Sequence, residues 1–299
     1  MSDTVYRSIA ELKGFSAKNC LPMPEPVRVL MCQPDYYEAR DERSPFAAGR
    51  QGRINPRLAR EQWLGLRGAL AAAGLEVSCI SPLPGLSEMV FCSSQAFVGL
   101  TPKLERVCLL SSMRYSSRRR EVAAFERWFR EAGYHVAALK DTGAIFEGAG
   151  DAVWHPGKRL IWGGCGFFTD AGIYEELARV FASPVVLLKL VNERFSHLDA
   201  CFCPLTQEAV LIYPAAFDAA SLELIFRLFP VIITASEHEA MRQMACNAAV
   251  IGGKTVVLQS GTVNAARHLG ALGLEVVTAD VSEFIKGGGG PRALRMPVY

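Results

Sequence analysis

The sequence lacks an excess of charge of either sign. Its 299 residues carry 32 Lys and Arg against 30 Asp and Glu, a formal net charge of +2. That balance leaves no electrostatic footprint for nucleic acid, and no basic run interleaved with aromatics supplies one. The one basic cluster, Arg118-Arg119-Arg120, opens an amphipathic helical pattern and reads as a solvated face. Long apolar runs are missing too. The longest, "FASPVVLLKLV", is broken by Pro184 and Lys189 and is too short to span a bilayer. The stretch "MSDTVYRSIAELKGFSAKNC" has no apolar core of the kind a secretory signal needs. An even cysteine framework is also absent. The nine cysteines lie mostly inside apolar, strand-like stretches, which suits buried reduced thiols in a cytoplasmic protein. A cytoplasmic chain with no membrane and no nucleic-acid partner is expected.

What the sequence does have is apolar bulk: 50% of residues are hydrophobic and 21% charged, the balance of a globular protein with a generous core. It also has an internal repeat. An acidic or amide residue opens a short apolar strand at Glu88, Asp151, Asp199 and Asn247, at intervals of 63, 48 and 48 residues. Companion strands follow in "RVCLLSS", "RLIWGG", "EAVLIYP" and "KTVVLQS". Helical patterns come next, such as "SRRREVAAFERWFREAGY" and "GTVNAARHLGALG", and each leads into a further strand.

A recurring supersecondary unit of this size belongs to a stacked or ring-like architecture. The end units are incomplete, "PVRVLMCQPDYYE" near the start and "PRALRMPVY" at the end. If they pair, five units close into a ring with no open sheet edge. A doubly wound open sheet competes, but strand pairs lying between helices fit it poorly. In a ring, Glu88, Asp151, Asp199 and Asn247 converge on one axial pocket. Convergent carboxylates call for a cation, and planar bidentate pairing favours a guanidinium.

Near the C-terminus stands "FIKGGGGPRALRMP", with four successive glycines, Gly287 to Gly290. Such a run is costly to order. The alternation of Leu294, Met296 and Val298 nevertheless predicts an ordered strand directly after it.

Together "SEMVF", "FEGAGD", "HLDACFCPL", "ACNAAVIG" and "GGGGPRALRM" resemble the guanidino-group-modifying, or pentein, superfamily. This group includes arginine deiminases, amidinotransferases and dimethylarginine dimethylaminohydrolases. The resemblance implies an α/β fold, a five-bladed ββαβ propeller with pseudo-fivefold symmetry. It would fill residues 28–299 as one domain after an extension over 1–27. It also implies a cysteine thiolate that attacks the guanidinium carbon and a histidine that protonates the departing amine. Carried over, His197 is the acid/base and Glu147 its orienting partner. Glu88 and Asp199 hold the guanidinium, Asp151 supports them, and Gly289 and Gly290 let backbone pass close to the ligand. The implied partner is a small guanidino-type ligand such as arginine or a methylarginine. No cofactor and no metal are implied, and a homodimer is an oligomeric option.

Several positions depart from that pattern. Where the family places its nucleophilic cysteine after the glycines, this chain has Ala293, whose methyl has no lone pair. Glu88 replaces the usual aspartate, and Ser94 lies where a relative carries asparagine or another polar group. Phe168 occupies the place of an arginine that would hold a substrate carboxylate, which disfavours α-amino acid substrates. Arg114 remains as an alternative carboxylate partner. A deliberate Cys-to-Ala substitution in an active hydrolase or amidinotransferase would explain Ala293 alone. Divergence to an inactive ligand-binding or regulatory pseudoenzyme explains the departures together and is the expectation. Cys92, Cys165 and Cys246 are weaker candidates for a substitute nucleophile. His197, Cys201 and Cys203 have no standard zinc spacing.

Overall fold

Among the described residues, apolar strands alternating with amphipathic helices build five separate sheets. The computed structural model describes residues 4–39 and 54–299. The first three residues of the expected extension and residues 40–53 of the expected domain lie outside the described residues.

A short strand, β1 (Val5–Tyr6), is followed by β2 (Arg28–Cys32), α1 (Pro56–Ala72) and β3 (Glu76–Ile80). The next unit holds β4 (Ala96–Leu100), β5 (Arg106–Leu110), α2 (Ser116–Glu131) and β6 (His135–Ala137). Then come β7 (Ala152–Trp154), β8 (Ile161–Cys165), α3 (Ile173–Phe181) and β9 (Val185–Lys189). The fourth unit is β10 (Phe202–Pro204), β11 (Ala209–Ile212), α4 (Ala219–Leu228) and β12 (Val231–Thr234). After α5 (Glu237–Gln243), the fifth holds β13 (Ala249–Ile251), β14 (Thr255–Gln259), α6 (Val263–Ala271) and β15 (Glu275–Ala279). The chain ends with α7 (Ser282–Ile285) and β16 (Met296–Val298).

Each unit pairs its first strand antiparallel to the second, then crosses by a helix to a third strand parallel to the second. The two chain ends complete the ring. β16 runs antiparallel to β2 with Met296 opposite Leu30, and β2 pairs in parallel with β3. The strand after the glycine run is therefore ordered, as its alternation predicts, and its pairing with β2 is the one expected of the two chain ends. β1 adds a fourth strand to one unit by pairing in parallel with β9, Val5 opposite Val185.

The helices cover the sheets through one apolar stripe each. In α2, Val122, Phe125 and Phe129 are buried at helical spacing while Arg120 and Arg127 face solvent. α1 starts where the Asn55 side chain accepts the Leu58 N–H at 3.1 Å, with Pro56 in its first turn. No helix among the described residues is long and apolar enough to cross a membrane.

The repeat is real, but its register differs from the one expected. The first strands begin at residues 96, 152, 202, 249 and 296, at intervals of 56, 50, 47 and 47. Glu88, Asp151, Asp199 and Asn247 lie eight, one, three and two residues before those strands, so they are not equivalent positions. "EMVFC" is a turn rather than a strand, with the Phe91 N–H bonded to the Glu88 carbonyl, and the strand starts later at Ala96. A short apolar run cannot by itself separate a buried turn from a buried strand. In the observed register, Glu147 and His197 are equivalent, each five residues before its strand. Asp199 and Ala293 are equivalent as well, each three residues before.

Candidate functional site

Short turns ahead of the first strands present the chemistry-bearing side chains. Glu147 caps the turn Gly148–Gly150, and His197 caps the turn Leu198–Ala200. Gly148 has φ +54°, and a Cβ there would stand 2.6 Å from the Ala96 carbonyl oxygen. Only glycine lets the turn that carries Glu147 approach the neighbouring unit so closely. The turns open on a cavity of about 740 Å³, its solvent mouth included. Glu88, Glu147, His197, Asp199, Phe168 and Ala293 all line it.

His197 is held from one side and left open on the other. Its Nδ1 lies 3.2 Å from Asp151 Oδ2, and its Nε2 lies 3.8 Å from Glu147 Oε2. Its side chain keeps 25% exposure, so a solute can reach it. Burial pulls the imidazole pKa down, but Asp151, Glu147 and Asp199 outweigh that and hold it at about 9. The imidazole is therefore cationic at neutral pH. The Asp199 pKa is raised as well, which for a carboxyl disfavours the charged form. Burial raises its carboxyl to about 6, against the opposing pull of His197 and Arg292.

The two carboxylates around His197 divide their work differently from the expectation. Asp151 is 1% exposed and does not line the cavity. Its Oδ1 accepts the Leu198 N–H at 3.0 Å, and its Oδ2 accepts the Thr169 hydroxyl at 2.6 Å. Both Asp151 oxygens are thus engaged, with Oδ2 on the Nδ1 side of His197. Glu147 is as deeply buried but lines the cavity.

The largest departure is Arg118. The sequence places it on a solvated face, yet it is buried and lines the cavity. It stands 3.3 Å from Glu121, 3.8 Å from Glu88 and 3.9 Å from Glu147. Burial works against its charge, and the three glutamates more than compensate. Glu121 also accepts the Glu88 N–H at 3.0 Å and a Gln95 amide N–H at 2.8 Å. The signal was present in the sequence as an Arg-x-x-Glu pair spaced for one helix face. The three consecutive arginines obscured it.

Other expected residues fall into supporting places. Gly287 and Gly288 line the cavity, whereas Gly289 and Gly290 do not. The Gly290 and Ala293 N–H groups both donate to Asn247 Oδ1, at 3.0 and 2.9 Å, and Asn247 Nδ2 donates to the Asp199 carbonyl at 3.2 Å. Asn247 thus fixes the loop that carries Ala293 and does not face the ligand space. Arg114 is exposed at the rim, where its Nη1 donates to the Phe167 carbonyl at 2.7 Å and its guanidinium lies over the Phe168 ring. Burial raises the thiol pKa values of Cys92, Cys165 and Cys246, and none of the three lines the cavity. Among the described residues no group of three His, Cys, Asp or Glu could hold a metal ion.

No protein-family model matches the chain. Similar proteins do exist. Over 279 residues the chain is 33% identical to the bifunctional arginine dihydrolase/ornithine cyclodeaminase ArgZ of Synechocystis, a match that covers 92% of this chain and 38% of ArgZ. The crystallised N-terminal domain of ArgZ, covalently bound to a reaction intermediate, superposes with a TM-score of 0.84, covering 91% of this chain and 97% of that domain. The N(G),N(G)-dimethylarginine dimethylaminohydrolase of Mycobacterium tuberculosis is 32% identical over 246 residues, covering 82% of this chain and 78% of that enzyme. A structure of AgrE, a Cys-to-Ala mutant in binary complex with L-arginine, aligns at 32% identity and TM-score 0.84, over 91% of this chain and 40% of that one. The chain thus spans well under half the length of ArgZ and AgrE.

Proposed function

The chain belongs to the guanidino-group-modifying, or pentein, superfamily, and from that premise we propose that its axial pocket binds a small guanidinium compound without transforming it. The observation that carries this is a single cavity lined by Glu88, Glu147, His197 and Asp199 together with the methyl group of Ala293, which this reading takes as the nucleophile position. Five carboxyl groups, of Glu88, Glu121, Glu147, Asp151 and Asp199, surround two cationic side chains, Arg118 and His197. The surplus of negative charge suits a further planar cation. With no thiol at position 293, no covalent amidino intermediate forms and the C–N bond stays intact.

Phe168 narrows the ligand class. Its ring replaces a carboxylate partner with an apolar face, and the exposed Arg114 gives one N–H to the Phe167 carbonyl and lies over that ring. A guanidine without an α-carboxylate is the better fit. The reduced, unpaired cysteines accord with a cytoplasmic setting.

A second possibility is an active enzyme whose cysteine has been replaced. The clamp of Asn247 on the Gly290 and Ala293 amides favours it, because the loop stays ordered to deliver a side chain at 293. In that chemistry a thiolate at 293 adds to the guanidinium carbon, and the amine leaves with a proton from His197. Water, deprotonated by His197, then releases a ureido product and the thiol. The Ala293→Cys variant tests this: ureido product and ammonia in assays would support the enzyme, and continued inactivity the binding protein.

A further inference from the structure

A second cavity, of about 810 Å³ with its mouth included, shares no lining residue with the guanidinium pocket. The first strands of all five units contribute to it, through Val98, Trp154, Pro204, Val250 and Pro297. It is therefore the other stretch of the ring's axis, beyond the turns that carry Glu147 and His197. Its walls are largely apolar, but two guanidinium groups, Arg292 and Arg295, also line it.

These two cations are neutralised only at a distance, Arg292 by Asp199 and Arg295 by Glu25. Arg295 is 7% exposed, and one of its terminal nitrogens donates to the Val250 carbonyl at 3.1 Å. The Nε atoms of Arg292 and Arg295 are both buried and have no hydrogen-bond partner. Among the described residues neither arginine forms an ion pair. Burial and the repulsion of Arg292 lower the Arg295 pKa to about 10, which still leaves it charged at neutral pH. Glu25 is the one carboxylate side chain among the lining residues. It is exposed, and its Oε1 is engaged by the Gly157 N–H at 2.7 Å. His155 adds no competing charge, because burial lowers its pKa to about 4.

Buried guanidinium groups are stable when a planar oxyanion supplies bidentate acceptors. We propose that this end of the axis is a second binding site, for a small organic carboxylate whose head group bridges Arg292 and Arg295 and whose apolar body packs against Trp154, Val98 and Val250. The site stands apart from the guanidinium pocket, and its test does not depend on that pocket's ligand.

The test is calorimetric titration of the full chain with benzoate at fixed ionic strength, with inorganic phosphate as the probe for bare charge. Saturable benzoate binding, tighter than phosphate, is expected. Arg295→Met and Arg292→Gln should each weaken it about tenfold or more. Absence of saturable binding overturns the proposal. So does phosphate binding as tight as benzoate, or benzoate affinity unchanged in a folded variant. If Arg295→Met fails to fold, Arg292→Gln decides the outcome alone.

Discussion

The phenyl ring of Phe168 lies against the imidazole of His197, with ring centroids 4.5 Å apart and planes 23° from parallel. This contact covers one face of a cationic histidine with an apolar ring and leaves no partner there for a carboxylate. A Phe168→Arg variant should reverse both effects. Affinity for L-arginine should rise about tenfold relative to methylguanidine, the gain of one charge-assisted pair. The added positive charge should also lower the His197 pKa, which imidazole NMR titration would read.

Ligand binding should depend on pH through Asp199. Its carboxyl is raised to about 6 in the free protein, and a bound cation favours the ionised form. Guanidine affinity should therefore be full above that value and fall as pH drops through it, by about tenfold per unit. No fall is expected above about 9, where His197 loses its proton, because that step removes a positive charge from the pocket. Calorimetry between pH 4.5 and 9.5 checks the profile, and Asp199→Asn should flatten its acid limb.

Arg118 holds three glutamates together, and its removal should be felt as lost stability. Arg118→Ala leaves Glu88, Glu121 and Glu147 without their shared cation. It should destabilise the fold by about 3–5 kcal/mol in urea denaturation. Arg120→Ala, two residues away and exposed, should stay within about 0.5 kcal/mol of the unaltered chain.

The glycine run is specific in its requirements. A Cβ on Gly289 would collide with the Phe91 ring and stand 3.0 Å from the Ala293 Cβ. Gly289→Ala should destabilise by about 1–3 kcal/mol and weaken guanidine binding by displacing Phe91, which lines the pocket. Gly270→Ala is the contrast: in α6 a Cβ there meets nothing within 4 Å, and a gain of about 0.5–1 kcal/mol is expected. Thermal unfolding of the two variants separates these outcomes.

The ring was legible in the sequence because strand and helix periods repeat, and because the chain ends supply complementary strands. Its register was not, since Glu88, Asp151, Asp199 and Asn247 are all polar residues before apolar strands yet sit at different offsets. Glu147 and His197 could be named from their motifs, but their partners depend on distances across units. Asp151 takes Nδ1 because the Leu198 amide and the Thr169 hydroxyl aim its oxygens there. Arg118 stayed hidden among like-charged neighbours, since a triplet of arginines does not say which one turns inward.

A guanidinium pocket without chemistry should bind its ligand and release no product. The unaltered chain is titrated calorimetrically with arginine, methylarginines and smaller guanidines, and the same mixtures are assayed for ureido product and ammonia. Saturable binding of at least one guanidine, with no product formed, is the predicted result. Failure of every guanidine to bind, or product from the chain with Ala293 in place, would contradict it.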